Sequence, residues 1–294
     1  MADLLAYLNG QFVDAAELSI SPADAGFVYG ATATDLVRTF AGRLFRLQDH
    51  LTRFRESCRL CRIPLSATDA DLQSTAERLI AVNRRGDEDL GLVMFATPGP
   101  LGRYAGRAED GPPTIAMHTM PIPLERNRRL FEEGARLVIS RLTASPVDPR
   151  AKMRSRLHWW IAEQEVKAVD PHAMVLFADA EGFVTETAAA NFLAVIDGVV
   201  TSPPRTGILN GVSLQVVEEL CRERGIPFSE RPLPVKDCWR ADEAMLCGTM
   251  FCLTGVRRID GTELTWPGPT FLLLAEEWRE TCRINIAVPT KVPH

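Results

Sequence analysis

Lysine is scarce in this chain: Lys152, Lys167, Lys236 and Lys291 stand against 29 arginines in 294 residues. An activated lysine amine attacks aldehydes, so the field for such chemistry is small. Lys152 lies in Ser145-Pro146-Val147-Asp148-Pro149-Arg150-Ala151-Lys152-Met153-Arg154-Ser155-Arg156-Leu157-His158, which reads as a turn entering a helix at the lysine. Arg150, Arg154, Arg156 and His158 flank it, and cationic neighbours make a lysine a better nucleophile. The competing reading is a solvated lysine on an amphipathic helix.

Two later stretches carry complementary chemistry. In Glu181-Gly182-Phe183-Val184-Thr185-Glu186-Thr187-Ala188-Ala189-Ala190-Asn191, Glu186 and Asn191 sit at strand edges among small residues. A flat ligand could lie against such a backbone, and a carboxylate there could keep a ring nitrogen protonated. An ordinary turn glutamate is the alternative. In Gly207-Ile208-Leu209-Asn210-Gly211-Val212-Ser213 a loop opens directly into a helix, and unpaired N–H groups at a helix start cradle phosphate. A simple helix cap is the alternative there. Cys247-Gly248-Thr249 follows.

Other chemistries find less support. The five histidines show no pair at metal-ligand spacing, so no metal site is expected, and no G-x-S-x-G elbow appears. His158 reads as a packing residue. Cys58 and Cys61 form one C-x-x-C without a second pair, and the seven cysteines read as free thiols. A net charge of −5 argues against nucleic acid as a partner. No run of 18 apolar residues suggests a membrane span, and the first residues do not resemble a signal peptide, so the cytoplasm is the expected compartment.

The elements that must position these residues read as an α+β (α/β) pattern in two lobes. Leu4–Leu8 and Gln11–Val13 flank Asn9-Gly10 as a hairpin, and 35–40 with 43–47 form a second one around Ala41-Gly42. Apolar residues at Leu51, Phe54, Cys58 and Cys61 predict a helix over 48–63, and a second follows over 69–83. Strands are expected at 90–96 and 114–120. Residues 121–129, with their prolines and charge run, read as a linker between a smaller domain, 1–120, and a larger one, 130–294. In the latter, strands at 136–140, 174–179, 183–185, 191–196, 226–230, 244–247 and 253–259 are mixed with helices at 152–169, 212–224 and 270–282.

Lys152, Glu186-x-x-x-x-Asn191, Leu209-x-Gly211-Val212-Ser213 and Gly248-Thr249, in that order, resemble the class IV, fold-type IV pyridoxal-phosphate enzymes. These include branched-chain aminotransferases, D-amino acid aminotransferases and 4-amino-4-deoxychorismate lyases. The likeness covers essentially the whole chain, including the Asn9-Gly10 hairpin, the segment from Asp24 to Asp35 and His50-Leu51-x-Arg53-Phe54. It implies two domains with the cofactor cleft between them, pyridoxal 5′-phosphate as cofactor, a homodimer, and an amino acid and a 2-oxo acid as substrates.

By that resemblance Lys152 forms the Schiff base and shuttles the proton, and Glu186 pairs with the pyridinium nitrogen. Arg53, the backbones of Leu209 and Val212, Gly211 for close approach, Ser213 and Thr249 hold the phosphate. Arg38, Arg103, Tyr104 and Arg107 are candidates for the substrate carboxylate. Transamination of a small, branched-chain-like amino acid is the leading expectation. A lyase or a D-amino acid aminotransferase is the alternative, and a non-catalytic member the third. Four positions depart from the family pattern: Leu157 for a tyrosine, Leu214 for a basic residue, Leu193 for an aromatic one, and Asp35 where aminotransferases often have glutamate.

Overall fold

Asn9 and Gly10 adopt φ values of 47° and 92°, the left-handed pair that a two-residue hairpin needs, and join strands β1 (Leu5–Leu8) and β2 (Gln11–Asp14). The computed structural model describes residues 4–140 and 147–282, apart from the side chains of Leu124 and Arg126. Ser145, Pro146 and Lys291 lie outside the described residues. The chain divides into two compact units, Met1–Ile122 with Ala151–Arg156, and Pro123–Arg150 with Leu157–His294.

In the first unit a short helix α1 (Ala25–Val28) precedes β3 (Ala33–Phe40) and β4 (Arg43–Leu44). Helices α2 (Leu47–Leu60) and α3 (Asp69–Asn83), strand β5 (Leu90–Thr97), the single turn α4 (Gly102–Ala105) and β6 (Thr114–Pro121) complete it. The sheet runs β2-β1-β6-β5-β3-β4, antiparallel throughout. The buried stripe of α2, with Leu51 and Phe54, packs with Leu72 and Leu79 of α3 onto Val37, Leu92, Met94 and Met117. Thr68 and Asp71 start α3 with reciprocal bonds, each side chain taking the other's backbone N–H. The second expected hairpin is shorter than its sequence suggested: pairing stops at Leu44, and Arg46 turns left-handed (φ 54°) into α2.

The second unit opens with α5 (Leu124–Glu133) and β7 (Ala135–Ser140), then α6 (Leu157–Val169), β8 (Met174–Ala178), β9 (Phe183–Thr187), β10 (Asn191–Ile196) and β11 (Val199–Ser202). There follow α7 (Val212–Glu223), β12 (Phe228–Glu230), β13 (Leu233–Pro234), α8 (Val235–Cys238), β14 (Glu243–Gly248), β15 (Cys252–Ile259), β16 (Thr262–Glu263) and α9 (Pro269–Cys282). Strands β10-β14-β15-β7-β8-β9 lie side by side, and β9 also pairs with β10, so six strands close into a ring. The pair that closes it is Glu186 opposite Asn191. Phe192, Leu246 and Val256 fill the core of this unit.

Three expectations change. The stretch read as a linker is mostly helix α5, because its charges pair along the helix (Arg128 with Glu125, Arg129 with Glu133) while Leu130 and Phe131 pack against the core. The helix expected from residue 152 begins at Leu157. The lysine segment itself, Ala151–Arg156, belongs to the first unit rather than to the block 130–294.

Candidate active site

Lys152 is held as part of an irregular strand pairing, which is why it is not helical. Thr34 N–H donates to its carbonyl (2.9 Å), Arg154 N–H donates to Thr32 O (2.9 Å), and Met153 bridges Ala33 across from β3. On the other side the Lys152 N–H donates to Ser57 Oγ of α2 at 3.0 Å. Two of the flanking cations are engaged elsewhere, Arg150 by Asp148 and Arg156 by the Met153 carbonyl.

The same strand and helix bury a charged cluster. Asp35 has no exposure at all, yet Arg53 grips it with two parallel bonds, Nε to Oδ2 at 2.8 Å and Nη2 to Oδ1 at 2.7 Å. His50 Nδ1 lies 2.8 Å from Asp35 Oδ1. Burial alone would raise the Asp35 carboxyl, but the charges and hydrogen bonds of Arg53 and His50 outweigh it and hold it well below the usual range. Burial pushes His50 down more than Asp35 pulls it up, and the Arg53 charge, followed by that of Lys152, adds to the fall.

Arg38 points to the opposite face of β3 from Asp35, because successive side chains alternate. It is buried, with its guanidinium 4.2 Å from the Phe40 ring centroid. Arg103 stacks over Tyr104 and Tyr29 on the exposed α4 turn, 4.9 and 5.8 Å from their ring centroids, and Arg107 is also exposed.

In the second unit Glu186 is buried and its two oxygens have different donors. Asn191 Nδ2 donates to Oε2 at 3.0 Å, and the Leu209 N–H to Oε1 at 3.2 Å. Asn191 Nδ2 also donates to Leu209 O (2.9 Å), tying carboxylate and loop together. The Leu209 amide, expected at the phosphate, is thus committed to Glu186. Gly211 is required for a different reason than ligand approach: a Cβ there would stand 2.0 Å from Asn191 Oδ1. Gly211 provides no side-chain cap, so the first N–H groups of the 12-residue α7 are left to meet an anion. Val212 and the Ser213 hydroxyl lie at this entrance, both buried, and Thr249 directly follows β14, half-buried.

Cys247 faces Asn191 across the β10–β14 pairing, and its thiol is pushed up by burial first and the Glu186 charge second. Burial likewise pushes Cys58 up to about 12, so it is an inert thiol. Among the described residues, no cluster of His, Cys, Asp or Glu could hold a metal, and no helix is long and apolar enough to cross a membrane. Leu193 and Leu214 are fully buried core residues, whereas Leu157 is 71 % exposed.

The first unit holds a scarce amine, Lys152, and the second a buried carboxylate, Glu186, and an uncapped helix start at α7; these are the group types that a phosphorylated, protonated aromatic aldehyde binds. The amino-transferase class IV family model matches residues 32–259. The chain belongs to the class IV aminotransferases. This aminotransferase is accordingly an enzyme that depends on pyridoxal 5′-phosphate and acts on an amino acid and a 2-oxo acid. A Methanocaldococcus jannaschii protein, provisionally named a branched-chain-amino-acid aminotransferase, is 31% identical over 87% of this chain and 88% of that protein. D-alanine aminotransferase of Bacillus licheniformis is 28% identical, over 89% and 91%. The fold matches the branched-chain amino acid aminotransferase from Thermobaculum terrenum in its PLP-form, with TM-score 0.82, 23% identity, and 95% and 94% covered.

The sequence reading did not anticipate the Asp35–His50–Arg53 cluster or Ser57. A signal was available: His50, Arg53 and Ser57 fall on the apolar stripe of α2, where polar groups must find partners.

Proposed function

We propose that this enzyme moves the amino group of a small, branched-chain-type amino acid to a 2-oxo acid, as a homodimer. The observation that carries the reading is the backbone of Lys152, fixed by β3 and α2 beside the Asp35–His50–Arg53 cluster. When bound, the cofactor supplies an electron-withdrawing ring that stabilises charge at the amino acid Cα. Lys152 would hold the cofactor through its amine, and that amine, once displaced by the amino group of the substrate, would move the proton at Cα. Glu186 keeps a proton on the ring nitrogen, with Asn191 and the Leu209 amide fixing its oxygens. Arg53, Ser213, Thr249 and the Val212 amide bind the phosphate, and Gly211 lets the loop close on Asn191. Arg38, Arg103 and Tyr104 are proposed to bind the substrate carboxylate.

The branched-chain preference is supported by the Methanocaldococcus jannaschii relative, and a D-amino acid preference by the Bacillus licheniformis one. A donor panel of L-leucine, L-valine, L-isoleucine and D-alanine, each with 2-oxoglutarate and with pyruvate, tests the choice. Turnover of the L-branched donors supports the proposal. Turnover confined to D-alanine replaces it with the D-amino acid reading.

A further inference from the structure

Ser57 sits on α2 one turn after Arg53 and is completely buried. Its hydroxyl does two things at once. It donates to the Arg53 carbonyl at 2.8 Å, and it accepts the Lys152 N–H at 3.0 Å. The bond back to the carbonyl four residues earlier is a common habit of serine in helices, and here it fixes the rotor so that a lone pair faces the lysine. The Lys152 carbonyl is taken by Thr34 N–H, so this one residue is pinned from both sides. It needs to be, because it precedes α6 by five residues and belongs to no helix.

A lysine side chain is long and flexible, so where its amine can reach depends first on where its Cα is held. We propose that Ser57 is a positioning residue for the amine of Lys152: one hydroxyl ties the lysine backbone to the helix turn that carries Arg53. The group that bonds the cofactor and the group that binds its phosphate thereby share a single point of reference. This inference rests on the assignment of Lys152 and Arg53 in the proposed function. A serine that merely fills space would affect the melting temperature alone, whereas a positioning serine also alters how the amine meets the cofactor.

The test uses the holoenzyme and three variants, Ser57→Ala, Ser57→Cys and Ser57→Thr. Alanine removes the acceptor; cysteine fills the space with a weak one, and carries the test if the alanine variant does not fold; threonine keeps the hydroxyl. Two quantities are read: the pH at which the absorbance of the lysine-bound cofactor titrates, and the rate of borohydride capture at Lys152. Leaving a buried N–H without its acceptor is expected to slow capture about tenfold in the alanine and cysteine variants. The absorbance titration is expected to move by about half a pH unit, and Ser57→Thr to restore both quantities. Capture rates and titrations equal to wild type in the alanine or cysteine variant overturn the role of Ser57. Wild-type enzyme that is not captured at Lys152 overturns the underlying assignment as well.

Discussion

Asn191 holds Glu186 twice: the two residues face each other where β9 and β10 close the strand ring, and the Asn191 amide donates to Glu186 Oε2 at 3.0 Å. In the proposed function Glu186 keeps a ring nitrogen protonated and so has to stay in one place; this pairing fixes its backbone and Oε2. Asn191→Ala removes the side-chain half of the arrangement. The expected result is a fall in transamination rate of roughly ten- to hundredfold, the size of one lost hydrogen bond to a charge. Cofactor retention should change much less, which comparison of single-turnover rates with cofactor dissociation constants will check.

Gly211 tests the loop. A Cβ at this position would meet Asn191 Oδ1 at 2.0 Å, while one at Gly207 finds its nearest neighbour at 3.7 Å. Gly211→Ala should therefore destabilise the protein by about 1–3 kcal/mol through overpacking, and should loosen the cofactor as the loop shifts. Gly207→Ala should leave both unchanged. Thermal melts and cofactor titrations on the pair separate the two.

Asp35 and Arg53 make a buried pair with 0% and 9% exposure. Asp35→Asn leaves the guanidinium buried without its counter-charge, at an expected cost of about 3–5 kcal/mol, read from the urea midpoint. Folding depresses both the Asp35 carboxyl and His50. For each, the folded state binds its proton less readily than the unfolded chain, so stability is full above the unfolded pKa and is lost as pH falls. Acid should begin to destabilise the protein near pH ~6.5, the ordinary histidine value, and further in the carboxylate range. His50→Gln should remove the upper part of that fall in a pH series of urea midpoints.

Where the chain's local chemistry decides structure, its sequence was readable. The Asn9-Gly10 hairpin, the period of α2 and α3, and the loop into α7 follow from turn chemistry and apolar spacing. Lys152 was recognisable as a candidate, but its setting was not: the bonds to Thr34 and Ser57 join residues about a hundred positions apart and leave no local pattern. Glu186 and Asn191 were likewise visible as residues, whereas their closing of the ring depends on strand order. The helix α5 was hidden because alternating charges resemble a linker until they are placed on a helical wheel. Gly211 was expected to face a ligand and instead faces Asn191.

The proposed function makes Lys152 the residue on which the chemistry turns, and the scarcity of lysine makes that directly testable. Borohydride reduction of the holoenzyme, followed by peptide mapping, locates the amine that binds the cofactor among Lys152, Lys167, Lys236 and Lys291. A single modified peptide containing Lys152 is expected, and none in Lys152→Ala. Modification at one of the other three lysines, or none in the wild-type enzyme, would contradict it.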